Sequence, residues 1–428
     1  MAETIPTKEV VDDDEIDLRS LFAVLWKRRK LIVFGTIGAT LLSVLISLFI
    51  PRVYRSEGFY QLGSVKATDA KYTDAKNTSL TGLFPKKNIA SIGVSIPLYK
   101  RSAARFSNPN RFQSYAGQDK ALNEENMEQI RMNFRTAGDI DKWIKPVYTY
   151  AKEDTREFAQ LPRDESNSVI GLNLAYEADS PQDSNNYVRL FGNYVRDCLL
   201  YITLYNYITD GNSDSKSEVA KTENVIINTH FQLLQSTNKM KDIRAILTNY
   251  PESEKIENRQ LVSVQDGGSR FLSPVTQLVG LESALADLRR TLSQLERDKE
   301  IAAMRAEYFS RCNNEMANIG EFGLSLFSML KSLKEDAFKN KDLSKDTVKE
   351  VSNDLDIDMQ TIELAYFNNC RFVSGPTTPD MHIRPRKSLI VIASCLGSFF
   401  LLIILAFILH WWQANKKIIL SPSSRIKG

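Results

Sequence analysis

Two uncharged apolar runs frame this chain and constrain it more than any motif does. Residues 31–50 (LIVFGTIGATLLSVLISLFI) and 388–409 (SLIVIASCLGSFFLLIILAFIL) contain no Asp, Glu, Lys, Arg or His. At 1.5 Å rise per residue, runs of 20 and 22 residues each reach about 30 Å, the thickness of a bilayer's hydrocarbon core. The 336 residues between them, 52–387, hold no comparable run. The expectation is a large hydrophilic body held to a membrane at both ends.

Charged residues beside the runs set the expected orientation, because long loops translocate largely regardless of charge. Lys27, Arg28, Arg29 and Lys30 precede the first run, and Lys416, Lys417, Arg425 and Lys427 follow the second with no acid among them. Both termini are therefore expected in the cytoplasm, with the body outside. Arg384, Arg386 and Lys387 press the other way on the outer end of the second run, but they belong to a loop too long for the charge rule to act on. Trp411 and Trp412, and Trp26 on the first helix, suit the inner interface. A cleaved signal peptide fits residues 31–50 poorly, since a 30-residue polar leader precedes them and no A-x-A site follows. Gly35-xxx-Ala39 and Ala393-xxx-Gly397 are small-xxx-small pairs of the kind that lets helices approach closely, although small residues are common in membrane helices anyway.

The fold class expected is an α+β membrane protein: two transmembrane helices flanking an α/β base module that carries a long helical hairpin. The segments are a cytoplasmic tail (1–30), a transmembrane helix (31–51), the base module (52–210), the hairpin extension (211–345), a return helix with a short strand and proline-rich lead-in (346–387), a second transmembrane helix (388–410) and a second tail (411–428). Strands are expected at 53–60, at 168–176, where apolar and polar residues alternate, and at 371–374. A loop is expected over 66–81, and broken helix over 89–160 with interruptions at Asn108-Pro109-Asn110 and Lys145-Pro146. Ser180-Pro181-Gln182-Asp183 is a helix start: an N-cap serine, proline at the first helical position and an acid in the first turn.

The hairpin rests on two heptad arrays. Val219, Ile226, Leu233, Met240 and Leu247 recur every seven residues, with Thr222, Thr229, Ser236 and Ile243 between them. Leu278, Leu281, Leu285, Leu288, Leu292 and Leu295 alternate spacings of three and four, behind a start signal at Ser273-Pro274. Side chains so spaced share one helix face and need an apolar partner, so this array is expected as a coiled-coil seam against the first one. Ordinary bundle packing is the plainer alternative. The polar Thr222, Thr229 and Ser236 are expected to leave part of the first arm for a neighbouring protomer to cover.

Chemistry-bearing patterns are missing. The sequence has no G-x-x-x-x-G-K-[ST], G-x-S-x-G, H-E-x-x-H or C-x-x-C pattern, and its three histidines are scattered. No catalytic residue, cofactor or metal site is expected. Basic and acidic residues number 55 and 52 with no basic block outside the tails, which gives nucleic-acid binding no electrostatic footing. Of four cysteines, Cys395 falls in the second apolar run, and Cys198, Cys312 and Cys370 permit at most one disulfide on the outer side.

Both ends of the chain resemble one family. Ile16-Asp17-Leu18-Arg19-Ser20-Leu21, then Leu25-Trp26-Lys27-Arg28-Arg29-Lys30 and the first apolar run ending Pro51-Arg52-Val53-Tyr54, look like the N-terminal hallmark of the Wzz-type polysaccharide co-polymerases, the chain-length determinants. Pro376, Pro379, Pro385, Lys387 and Gly397 are similar to that family's Pro- and Gly-rich entry into its second membrane helix, although Leu401 stands where a further glycine is usual. The resemblance implies a bacterial inner-membrane protein with a periplasmic body, assembling into a ring-like homo-oligomer. Such a protein sets the length of an O-antigen, capsule or exopolysaccharide by organising its polymerase, and it can touch the nascent polysaccharide. Some relatives carry a fused tyrosine kinase; the 19 residues at 410–428 have neither its nucleotide loop nor its tyrosine-rich tail, which leaves a separate kinase as a conceivable partner. An exporter component of the same topology and, more remotely, a periplasmic adaptor of an efflux or secretion pump are the rival expectations. A receptor is disfavoured because a 19-residue tail cannot hold an output module.

Overall fold

The computed structural model describes residues 18–68, 87–119, 122, 124–149, 168–252 and 273–419. The loop expected over 66–81 and the end of the broken helical stretch at 150–160 lie wholly or largely outside the described residues.

In chain order the elements begin with α1 (Leu18–Lys27), α2 (Arg29–Phe49), β1 (Tyr54–Gln61), β2 (Gly63–Thr68), β3 (Lys87–Ile92) and β4 (Val94–Ser95). Four short helices follow: α3 (Ile96–Phe106), α4 (Pro109–Ala116), α5 (Glu124–Asn133) and α6 (Ala137–Asp141), then β5 (Ile144–Tyr148) and β6 (Ser168–Ala178). The remainder is α7 (Pro181–Asn249), α8 (Pro274–Met316), α9 (Gly323–Phe338), α10 (Asp346–Glu363), a π-helical turn (Leu364–Asn368), β7 (Arg371–Ser374) and α11 (Lys387–Ile419).

The chain divides into two compact units. One comprises Met1–Glu57, Ala175–Tyr187 and Thr377–Gly428; the other comprises Gly58–Leu174 and Val188–Pro376. In the first, α2 and residues Lys387–Gln413 of α11 are the two helices long and apolar enough to cross a membrane. Most of their large apolar side chains face outward, as a lipid solvent requires and water forbids. The start of α7 is capped within this unit: the Ser180 hydroxyl accepts the Asp183 N–H at 3.0 Å, as the Ser-Pro-x-Asp pattern requires.

The main sheet runs β4-β6-β1-β7, with β5 also paired to β6. Leu172, Leu174 and Tyr176 of β6 recur at period two and are all buried, the pattern of a strand with one face on a core. Strands were expected at β1, β6 and β7, and they are present. The β2–β3 ladder, paired from Gly63↔Ile92 to Thr68↔Lys87, was not expected, and neither was β5. Pro146, read as a helix break, stands opposite Leu172 in β5, and β5 has β6 as its one partner strand, the position where a strand tolerates a missing N–H. At Asn108 the expected break is real: its side chain accepts N–H groups from Asn110 and Arg111 at 3.0 and 3.3 Å and caps α4.

Beneath the sheet lies an aromatic core. The Phe112 ring stacks on Phe191 at 5.2 Å between centroids and meets Phe134 and Tyr194 edge-on at 4.9 and 5.2 Å. All four rings are buried. Offset and edge-on contacts of this kind add about 0.5–1.5 kcal/mol per pair beyond area burial.

Two helices dominate the second unit. α7 is a single helix of 69 residues, about 100 Å long, and α8 has 43, about 65 Å. The helix expected to start at Ser180-Pro181 and the arm expected from Val219 are thus one rod, running unbroken past residue 210. No glycine-proline signal interrupts it, and Gly211 alone does not stop a helix whose buried face continues on both sides.

Candidate functional site

Three constellations are built on this scaffold. The first is the membrane-helix pair. α2 offers α11 a stripe of small and hydroxylated residues at helical spacing, Gly35, Thr36, Ala39, Thr40, Ser43 and Ser47, all buried or half-buried. At Gly35 the approach is closest: a Cβ there would stand 2.7 Å from a terminal carbon of Leu402. Three of the hydroxyls satisfy themselves inside the helix, Thr36 donating to the Ile32 carbonyl at 2.6 Å, Thr40 to the Thr36 carbonyl at 2.7 Å and Ser43 to the Thr40 carbonyl at 2.8 Å, while the Ser47 hydroxyl is buried with no hydrogen-bond partner among the described residues. On α11 the contacting stripe is Ser394, Ser398, Leu402 and Ala406. Ala393 and Gly397, one position earlier, face away from α2, and nothing in the chain lies within 4 Å of a Cβ at Gly397. Of the basic residues before the first run, Arg28 reaches across to α11, donating to the Gln413 side chain at 2.6 Å, and Arg29 lies over the Trp26 ring at 4.7 Å. Lys27 and Lys30 are exposed, as Trp411 and Trp412 are. Lys416 lies exposed on the last turns of α11; Lys417 is on the same helix.

The second is the membrane-proximal tether. The Val53 N–H donates to the Arg384 carbonyl at 3.0 Å and the Ile383 N–H to the Val53 carbonyl at 2.8 Å, joining the segment that leaves α2 to the one that enters α11. The Ser56 hydroxyl donates to the Thr377 carbonyl at 2.6 Å, and the Thr377 hydroxyl accepts the Glu57 N–H at 3.0 Å. Pro379 and Pro385 lie along this segment, half-buried and buried, with Pro376 at its start and Lys387 opening α11. The proline-rich lead-in is thus one side of a hydrogen-bonded ladder whose other side is the N-terminal segment, a pairing that sequence separation hides.

The third is the helical hairpin. Arg244 pairs with Glu282 at 3.2 Å, Lys299 with Glu223 at 3.1 Å, and the Tyr207 and Phe309 rings meet at 5.2 Å, which fixes α7 and α8 as antiparallel partners. Leu285 is buried at 5% exposure, and Leu278, Leu281, Leu288, Leu292 and Leu295 are half-buried while the residues between them are exposed. On α7 the facing stripe is Val219, Thr222, Ile226, Thr229, Leu233, Ser236, Met240, Ile243 and Leu247. The chain itself covers the polar positions expected to await a neighbour: Thr222 is 4% and Thr229 6% exposed, and the Thr229 hydroxyl donates to the Val225 carbonyl at 2.8 Å. Threonine fits there because its hydroxyl turns back onto its own helix and presents the methyl to the seam.

Buried polar groups brace the base of the hairpin. The Asp197 carboxylate accepts the Leu324 N–H at 2.9 Å and so caps α9; burial pushes its pKa up, and the cap hydrogen bonds oppose that. Asp358 accepts from Tyr207 and Asn88, each at 2.9 Å, and burial raises its pKa too. Neither signal could be read from sequence, since carboxylates on helices usually face solvent. Cys198, Cys312 and Cys370 are separate buried thiols; burial raises Cys198 to about 12 and Cys312 and Cys370 to about 11, so all stay protonated and inert at neutral pH. Among the described residues no group of three His, Cys, Asp or Glu is placed to hold a metal ion.

Residues 14–82, which contain α1, α2, β1 and β2, match the family model described as Wzz, chain length determinant protein. The likeness to that family spans 69 of the chain's 428 residues. No curated protein sequence matches the chain. Among solved structures, the chain is similar to a "full-length bacterial polysaccharide co-polymerase" at 12% identity and a TM-score of 0.40, over 96% of this chain and 100% of that one. The matched segment includes the apolar helix α2 and the strand β1 that follows it.

Proposed function

We propose that this chain is a Wzz-type bacterial inner-membrane polysaccharide co-polymerase that regulates the chain length of a surface polysaccharide, an O-antigen, capsule or exopolysaccharide. It makes no bond itself; it organises the polymerase. The observation that carries the reading is the family match over residues 14–82, which covers the first of two apolar helices. Both termini lie in the cytoplasm and the residues between the helices in the periplasm, a reading supported by Lys27–Lys30 at one end and Lys416 and Lys417 at the other.

The working form is a homo-oligomer. Ile227, Phe231 and Leu234 occupy one stripe of α7 at spacings of four and three and are 60%, 57% and 56% exposed, an apolar face that a second copy would cover. In the membrane, Ala393 and Gly397 face away from α2 and offer a close-packing surface to another helix.

Deleting the gene is expected to leave polymer synthesis running while changing its length distribution on a sizing gel. An unchanged profile with an unchanged amount of surface polymer overturns the reading, and loss of surface polymer with accumulation inside the cell favours an exporter role. Orientation has its own test. In a cysteine-free background, Ser283→Cys is expected to react with an impermeant thiol reagent on intact spheroplasts and Ser423→Cys is not; the opposite pattern reverses the topology.

A further inference from the structure

We propose that a recess lined by arginines where the two membrane helices end binds the phosphate of an anionic membrane lipid. Arg55, Glu57, Glu177, Ile383, Arg384 and Arg386 line a concavity of about 490 Å³. Its position follows from the chain: α2 ends at Phe49, α11 begins at Lys387, and the Val53–Arg384 and Ile383–Val53 hydrogen bonds pin the two segments together just beyond those ends. Once the helices span a bilayer, this places the recess at headgroup depth whichever side the termini take.

The charges there are not satisfied internally. Glu177 is shared between Arg55 at 3.5 Å and Arg384 at 3.9 Å, both long for an ion pair, and the Arg384 side chain is 70% exposed. Glu57 engages Arg55 at 2.5 Å. Arg386 is exposed and has no carboxylate within ion-pair distance among the described residues. In the recess lining, three guanidiniums, Arg55, Arg384 and Arg386, face two carboxylates, Glu57 and Glu177. Arg384, Arg386 and Lys387 also stand where they oppose the orientation set by the charged tails, so topology does not explain them. A guanidinium fork matches phosphate bidentately, and lipid phosphates are the anions available at this depth. Phe49 and Leu389, 87% and 58% exposed on the helix ends beside the recess, provide the apolar surface along which acyl chains would lie. That juxtaposition selects a lipid over a free anion.

The test uses the full chain, purified in neutral detergent, delipidated, and offered equal phosphatidylglycerol and phosphatidylcholine, with retained lipid counted by native mass spectrometry. Phosphatidylglycerol is expected to be retained in preference. With each juxtamembrane cation worth about fivefold in affinity, Arg384→Gln with Arg386→Gln is expected to weaken retention about 25-fold. Lys331→Gln with Arg371→Gln, in the other compact unit, should change nothing. If the double variant loses helix content, Arg386→Gln alone, which breaks no internal pair, is expected to show the fivefold step. Equal retention by wild type and variants, equal retention of the two lipids, or release of the lipid by 10 mM inorganic phosphate each overturns the assignment. None of these outcomes depends on the chain-length reading.

Discussion

Gly63→Ala is expected to destabilise the second unit by about 3 kcal/mol or more, the upper range for overpacking a rigid site. A Cβ at Gly63 would lie 2.0 Å from the Ala365 carbonyl oxygen and 2.8 Å from the Asn369 Cβ. The first of these is backbone of the π-helical turn at Leu364–Asn368, so no side-chain rotation relieves the clash. The Gly63 N–H meanwhile donates to the Cys370 thiol at 3.1 Å, which holds β2 against the turn and prevents retreat. Denaturant unfolding of the detergent-solubilised chain measures the effect. A loss below about 1 kcal/mol would mean that this close approach is not made.

The double substitution Leu285→Asp with Leu292→Asp is expected to open the hairpin while sparing the sheet. Leu285 is among the most buried residues of its arm, and a carboxylate there has no cation on the facing stripe of α7, where Thr222, Thr229 and Ile243 supply only short or apolar side chains. Burying an unpaired charge costs several kcal/mol, and two such sites seven residues apart act on the same pair of arms. Hydrogen exchange is the decisive measurement. Protection in residues 281–300 should collapse while the β6 amides, hydrogen-bonded to β1 and β5, remain protected. Unchanged protection in α8 would show that the leucine face is not what holds it.

The parts of this protein legible in its sequence are those governed by local periodicity. Apolar length alone locates α2 and α11, because a bilayer demands about 30 Å of uncharged helix and the described residues hold two such stretches. Heptad spacing alone marks the stripe from Val219 to Leu247 and the one from Leu278 to Leu295, because positions three and four apart must share a helix face. Ser180 and Ser273 announce helix starts because a capping side chain reaches only its own next three residues; the Ser273 hydroxyl accepts the Thr276 N–H at 3.3 Å.

Tertiary structure decided the rest, wherever the partner is distant in sequence. Whether Thr222 and Thr229 would be left for another protomer or covered by α8 depended on the register of two arms, which spacing within one arm cannot supply. The membrane seam falls on Ser394 and Ser398 and not on Ala393 and Gly397, because the rotation of α11 about its axis is set by contact with Gly35 and not by its own composition. The same holds for Pro146 in β5, for Asp197 capping a helix more than a hundred residues away, and for the proline-rich segment pinned to Val53. Sequence determined the long helices and the strands β1, β6 and β7; three-dimensional packing determined β2, β3 and β5 and which face of α11 meets α2, since a stretch of sequence specifies the chemistry of its partner but not its address.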